Sequence, residues 1–112
     1  MYKEIYTTKC KKDIKKLKKQ GKNKNLLTEV VTKLVNNIPL EEKYKEHYLS
    51  NNWAGCLECH IEPDWLLIYR IDITTNVIYF LRTGSHAHIF EEYDYCDSSL
   101  KELNEILQNY LE

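Results

Sequence analysis

Glycine and proline are scarce in this chain of 112 residues, three and two respectively. That scarcity excludes collagen-like repeats, flexible linkers and low-complexity disorder. Long apolar stretches are missing too: the longest runs, residues 65–69 and 77–81, hold five residues each. A spanning helix needs about 20, so no membrane segment is expected. The opening Met1-Tyr2-Lys3-Glu4 carries none of the apolar run of a secretory leader, which points to a cytoplasmic protein. Net charge is also nearly absent, at −1, and excludes no class of partner. What remains is a length suited to one domain and an apolar share of 43%, nine tyrosines included, enough for a modest core.

The near-neutral total hides a gradient. Residues 1–36 carry eleven Lys against Glu4, Asp13 and Glu29, a net of +8. Residues 37–90 have a net of −3, and residues 91–112 set Lys101 alone against seven acids, a net of −6. Opposed blocks of this kind favour a polyanion at one end and a basic partner, or self-docking, at the other.

Hydrophobic periodicity divides the chain into seven elements. Residues 2–7 alternate as a short strand. Thr8 is placed to cap a helix from Lys9, with Cys10, Ile14 and Leu17 as its narrow apolar stripe and Gly21 as its stop. Doublets at Leu26-Leu27, Val30-Val31 and Leu34-Val35 mark a second helix that Pro39 forbids from continuing. The short link between them predicts a helical hairpin. Strands follow at residues 56–61, 65–71 and 77–83, turned by Pro63-Asp64 and by residues 72–76. In the first of these, Leu57, Cys59 and Ile61 face one way and Cys56, Glu58 and His60 the other. Arg82 falls on the face of Ile78 and Phe80, which predicts a bend or bulge before it. A capping box over residues 99–102 and a stripe at Leu100, Leu103, Ile106-Leu107 and Tyr110-Leu111 predict a last helix. The order β-α-α-β-β-β-α predicts an α+β domain with helices on one face of an antiparallel sheet. Residues 1–90 form the domain proper and residues 91–112 an acidic extension.

The chemistry-bearing residues gather in the second half. His47, His60, His86 and His88 lie near Asp64 and Arg82 in the chain, and the pairing above brings Asp64, Arg82 and His86 to one sheet edge beside His60. Imidazoles with a guanidinium and a carboxylate suit metal-free phosphodiester cleavage. A base takes the proton of an RNA 2′-hydroxyl, which attacks phosphorus; a cation steadies the phosphate; an acid protonates the departing 5′-oxygen. Histidine suits both proton steps, its unperturbed pKa being about 6.5. Trp65 and Phe90 flank the cluster as stacking surfaces for a base, with core packing as the competing role for each. Cys56-x-x-Cys59 followed by His60 resembles half of a zinc knuckle, but residues three apart in a strand face opposite sides. Only His86 and His88 would complete four ligands. No metal or other cofactor is expected, and the cysteines are read as buried thiols.

The segments Trp53-Ala54-Gly55, His60-Ile61-Glu62-Pro63-Asp64-Trp65 and Arg82-Thr83-Gly84-Ser85-His86, in this order and spacing, resemble the YafQ branch of the RelE/ParE toxin superfamily. The likeness runs over residues 1 to about 90. It implies a RelE-like fold and a type II toxin of a toxin–antitoxin pair, a ribosome-dependent endoribonuclease that cleaves mRNA. It implies His86 as general acid, His47, His60 and Asp64 as further catalytic positions, Arg82 as the phosphate-binding cation, and Trp65 and Phe90 as aromatic lining. The partner implied is an antitoxin of the DinJ/RelB ribbon-helix-helix kind. Lys11, Lys15 and Lys18 of the basic hairpin then have ribosomal RNA phosphates to grip. The chain departs from the family pattern at Ala54 and Leu57, where a cation is common, and in its acidic tail. That tail either packs an apolar stripe on the domain's own core or shields the site. The alternative function is a non-enzymatic, ParE-like toxin acting by protein contact, for example on DNA gyrase, which has no need of three site histidines.

Overall fold

A computed structural model describes residues 1–90 together with residues 102, 103, 105 and 106. The element order is β1 (Lys3–Tyr6), α1 (Thr8–Lys19), α2 (Lys24–Val35), β2 (His47–Tyr48), β3 (Leu57–Glu62), β4 (Trp65–Asp72), β5 (Val77–Gly84) and α3 (His86–Phe90), with 3₁₀ turns at Glu42–Tyr44 and Asn51–Trp53. The α+β class and the three central strands agree with the expectation. Among the described residues no helix is long and apolar enough to cross a membrane.

Local chemistry explains the helical hairpin. The N-cap of α1 is Thr7, one residue earlier than predicted. Its hydroxyl accepts from the Cys10 N–H and donates to the Leu81 carbonyl, so the cap also ties the helix to β5. Gly21, at φ +78°, ends α1: the N–H groups of Gly21 and Lys22 return to the carbonyls of Lys18 and Leu17, the left-handed closure that glycine permits. The end of α2 repeats this closure with Asn37 at φ +56°, two residues before Pro39.

The sheet order is β1-β5-β4-β3-β2. The three central strands pair antiparallel as expected, but β1 joins β5 in parallel, so the sheet is mixed. After β1 the chain passes through the α1–α2 hairpin to the opposite edge at β2 and works back by antiparallel turns, so that β5 reaches β1 running in the same direction. Strand β2, read from sequence as part of a polar connection, is a two-residue edge in which His47 pairs with Glu58. Two residues are too few for any alternation to appear in the sequence. The bulge expected before Arg82 is present: Ile68 pairs with Arg82 and Tyr69 with Phe80, so the register skips Leu81. A second irregularity falls between His60 and Glu62. Both bulges sit at the end of the sheet that carries the histidines, and bulges of this kind re-aim side chains.

Each face of the sheet has its own core. Cys10, Leu17, Val30 and Leu34 of the helices pack on Cys59, Ile61, Tyr69 and Phe80. On the reverse face Trp53, Cys56, Leu66, Ile68, Leu81 and Ile89 form a second cluster. Leu103 is buried in that second cluster and Ile106 packs at its edge, so this part of the predicted stripe does seal on the core. Glu102 accepts the Thr8 N–H on both carboxylate oxygens, at 2.9 Å each, at the start of α1. Ser99, Leu100, Leu107, Tyr110 and Leu111 of the predicted capping box and stripe lie outside the described residues.

Arg82 and Asp13 are the polar exception in the helix-side core, 0% and 3% exposed. Arg82 donates to Asp13 from Nε at 2.6 Å and from Nη2 at 3.0 Å, clamping α1 over the end of β5. Removing one member leaves the other charge buried and uncompensated. Asp13→Ala should therefore destabilise the fold by about 3–5 kcal/mol in urea unfolding, and adding Arg82→Met should restore most of that loss.

Candidate active site

The β3–β4 turn, the edge strand β2 and the short helix α3 bring three imidazoles into one row. Ring centroids are 6.3 Å apart for His47 and His60 and 5.9 Å for His60 and His86; Phe90 continues the row 6.0 Å beyond His86. His47 comes from β2, His60 from the bulged end of β3, and His86 and Phe90 from α3, four residues apart on one side of a single helical turn. Phe90 is 43% exposed and stands at the end of the row.

Each ring is oriented by its own partner. His86 lies 3.1 Å through Nδ1 from Asp64 Oδ1, which also accepts the His86 backbone N–H at 3.2 Å. These two contacts, the backbone one first, hold the Asp64 carboxyl below its ordinary value of 3.8, so it is ionised at neutral pH. An N–H at Nδ1 facing that carboxylate leaves His86 Nε2 directed away from it. His60 faces the Pro63 carbonyl at 3.3 Å through Nδ1, and its Nε2 is 4.0 Å from Glu58 Oε2. His47 faces the Lys45 carbonyl at 2.8 Å through Nδ1 and Glu58 Oε2 at 2.9 Å through Nε2. Both partners of His47 are acceptors, and a ring protonated on both nitrogens donates to both. Lys45 offers its carbonyl from a left-handed conformation, φ +50°. The segment ahead of β2 is tied down by Glu46, which accepts from the Tyr69 hydroxyl.

Glu58 was not among the expected site residues. It is 4% exposed, it lies beneath His47 and His60, and its Oε1 has no hydrogen-bond partner among the described residues. The signal was available in the alternation of β3, which puts Glu58 on the same face as His60. Asp13 was missed as well. It is the only acid in a twelve-residue helix with seven lysines, an anomaly that marks a buried partner.

Two of the expected site residues fall elsewhere. Arg82 does not join the imidazole row: it is fully buried and its guanidinium is held by Asp13. The reason is its place on the helix-side face, under α1, where a lone arginine needs a carboxylate. Trp65 is 1% exposed, in the helix-side core, with its indole N–H donated to Thr83 Oγ1 at 3.0 Å. It packs rather than stacks on a base. Lys11, Lys15 and Lys18 are exposed along α1. Cys56 and Cys59 are buried in opposite cores, and burial pushes the Cys59 thiol up to about 12. Among the described residues no three His, Cys, Asp or Glu side chains are grouped to hold a metal ion.

Two clefts flank the turn and meet at Glu62 and Pro63. One, about 360 Å³, lies between α1 and the end of β5, with Lys16, Lys22, Asp64 and His88 on its walls. The other, about 380 Å³, runs past His60 to Lys43, Tyr44 and Lys45. His60 is the member of the imidazole row that lines one of them.

The family described as bacterial toxin of type II toxin-antitoxin system, YafQ, matches residues 2–91 of this chain. The mRNA interferase toxin YafQ of Escherichia coli K12 is 42% identical over 86 residues, covering 76% of this chain and 91% of that protein. The crystal structure of the E. coli DinJ–YafQ complex contains a chain with 38% identity and a TM-score of 0.74, over 80% of this chain and 99% of that one. A metal-bound toxin from Helicobacter pylori matches with 39% identity and a TM-score of 0.76, over 80% and 100%.

The link between Asp64 and His86 is open to titration. A carboxyl with a depressed folded-state pKa stabilises its contact above its unfolded pKa, and that contribution is lost as pH falls through the folded value. The His86 amide resonance should therefore shift with a midpoint below 3.8, and Asp64→Asn should abolish the transition.

Proposed function

The chain belongs to the YafQ family of bacterial toxins of type II toxin–antitoxin systems, and from that premise we propose the route by which it cuts RNA. It is an mRNA interferase, an endoribonuclease, and its cognate partner is an antitoxin of the DinJ kind. A messenger RNA target means a cytoplasmic site of action, and we take the substrate to be mRNA held on the ribosome.

The observation that carries the mechanism is the 5.9 Å separation of His60 and His86, each with its Nδ1 facing an oxygen acceptor. Two rings so close can serve two oxygens of one phosphate. His60, with Nδ1–H toward the Pro63 carbonyl, takes the proton of the 2′-hydroxyl on Nε2. The 2′-oxygen attacks phosphorus, the bond to the 5′-oxygen breaks, and His86 delivers a proton to that leaving oxygen. The products are a 2′,3′-cyclic phosphate and a free 5′-hydroxyl. Glu58, with Oε2 4.0 Å from His60 Nε2, steadies by its charge the imidazolium formed there, and Asp64 sets the orientation of His86. With Arg82 buried, positive charge beside the phosphate comes from His47, whose protonated ring donates to Lys45 and Glu58 while its edge stays half exposed. Phe90 offers the exposed aromatic face for a flanking base.

On programmed ribosomes kept in Mg²⁺, cleavage should persist with a zinc-selective chelator and leave 2′,3′-cyclic phosphate ends, read by their resistance to phosphatase until acid opens the ring. His86→Ala and His60→Ala should each lower kcat by about 10²- to 10⁴-fold, the range for a positioned acid or base. Loss of activity with the zinc-selective chelator and full recovery on adding zinc would count against this route. The lysine face has its own signature. Changing Lys11, Lys15 and Lys18 together to Gln should weaken ribosome binding without altering the cleavage position, and lower the slope of log K against log salt by up to about 3.

A further inference from the structure

We infer that His88 is a positioning residue for the catalytic turn, holding α3, and with it His86 and Phe90, against α1 through Asp13; this rests on the cleavage reading above. Helix α3 has five residues, too few to be stable by itself. Three contacts fix it. At the front Asp64 accepts the His86 N–H, in the middle Ile89 is buried in the reverse-face core, and at the back His88 reaches α1.

The back contact is built closely. His88 Nε2 lies 2.9 Å from Asp13 Oδ1, and its Nδ1 is 3.4 Å from the Lys16 ammonium. With the proton on Nε2, the ring donates to the carboxylate and accepts from the lysine, so a single tautomer fits both neighbours. The His88 backbone N–H is given to Ser85 Oγ, which caps the turn. Gly84, at φ +146°, leaves the ring its place, since a Cβ there would come within 3.0 Å of His88 Cδ2. The same Asp13 carboxylate binds Arg82 and accepts the Thr83 N–H at 3.2 Å. One buried group thus anchors helix α1, the end of β5 and the turn that follows. His86 and His88, two apart, point to opposite sides of α3. Rotation of the turn about its axis would carry His86 off Asp64, and His88 is the side chain that opposes it from the far side.

The test compares His88→Phe, which fills the space without a hydrogen bond, with His88→Gln, whose amide N–H occupies the position of Nε2. Thermal melts first establish that both fold. On ribosomes His88→Phe should lose about ten- to a hundredfold in kcat with KM little changed, since an ångström of misplacement costs that much. His88→Gln should restore most of the loss. In the free protein, the His86 amide should no longer follow the Asp64 titration in His88→Phe and should follow it again in His88→Gln. Loss of the amide response together with loss of kcat supports the assignment. Either one without the other, or a Gln variant no better than Phe, overturns it. Absence of cleavage by the unaltered chain would instead sink the ribonuclease reading, and the amide titration would then decide the role of His88 by itself.

Discussion

The Asp13 carboxylate is the constraint around which the domain is arranged. One group on the buried side of α1 accepts two N–H bonds from Arg82, one from the Thr83 backbone and one from His88. Burying a carboxylate without partners costs far more than any single contact returns, so a fully bonded arrangement is the only tolerable one. That requirement fixes the position of α1 over the end of β5 and the direction in which the chain leaves the strand. The Leu81 bulge and the left-handed Gly84 follow in the next few residues, and the imidazole row follows from them.

A second consequence concerns charge. The guanidinium that the family resemblance assigns to phosphate is turned inward here, and positions 54 and 57 are Ala and Leu. In the proposed route support for the phosphate therefore falls to histidine, with lysines on α1 and along the two clefts. Asp64 faces Nδ1 of His86, whereas Glu58 faces Nε2 of both His47 and His60. The proposed route thus draws proton transfer and electrostatic support from one set of side chains.

Much of this was legible in the sequence because it is local or periodic. The doublets of α2, the stop at Gly21, the alternation of Leu57, Cys59 and Ile61, and the parity conflict at Arg82 each state a physical requirement within a few residues. Those requirements placed the central strands and the bulge correctly and put His60 beside His86. The errors arose where the deciding partner is remote. Arg82 looked like a surface cation because Asp13 lies 69 residues away, and Trp65 looked available because its hydrogen-bond acceptor, Thr83, sits on another strand. The parallel pairing of β1 and the two-residue β2 depend on the completed sheet rather than on their own residues. The lone acid in α1 was the one visible trace of the buried network.

The contact between Glu102 and Thr8 spans 94 residues, and Leu103 seals the reverse core beside it. A chain emerging from the ribosome N-terminus first cannot close α1 at its beginning, or complete that core, until residue 103 is free. Long-range contacts of this kind also slow folding. An enzyme that attacks translation thereby gains its last closing contacts from residues made only after its whole sheet and every proposed catalytic side chain.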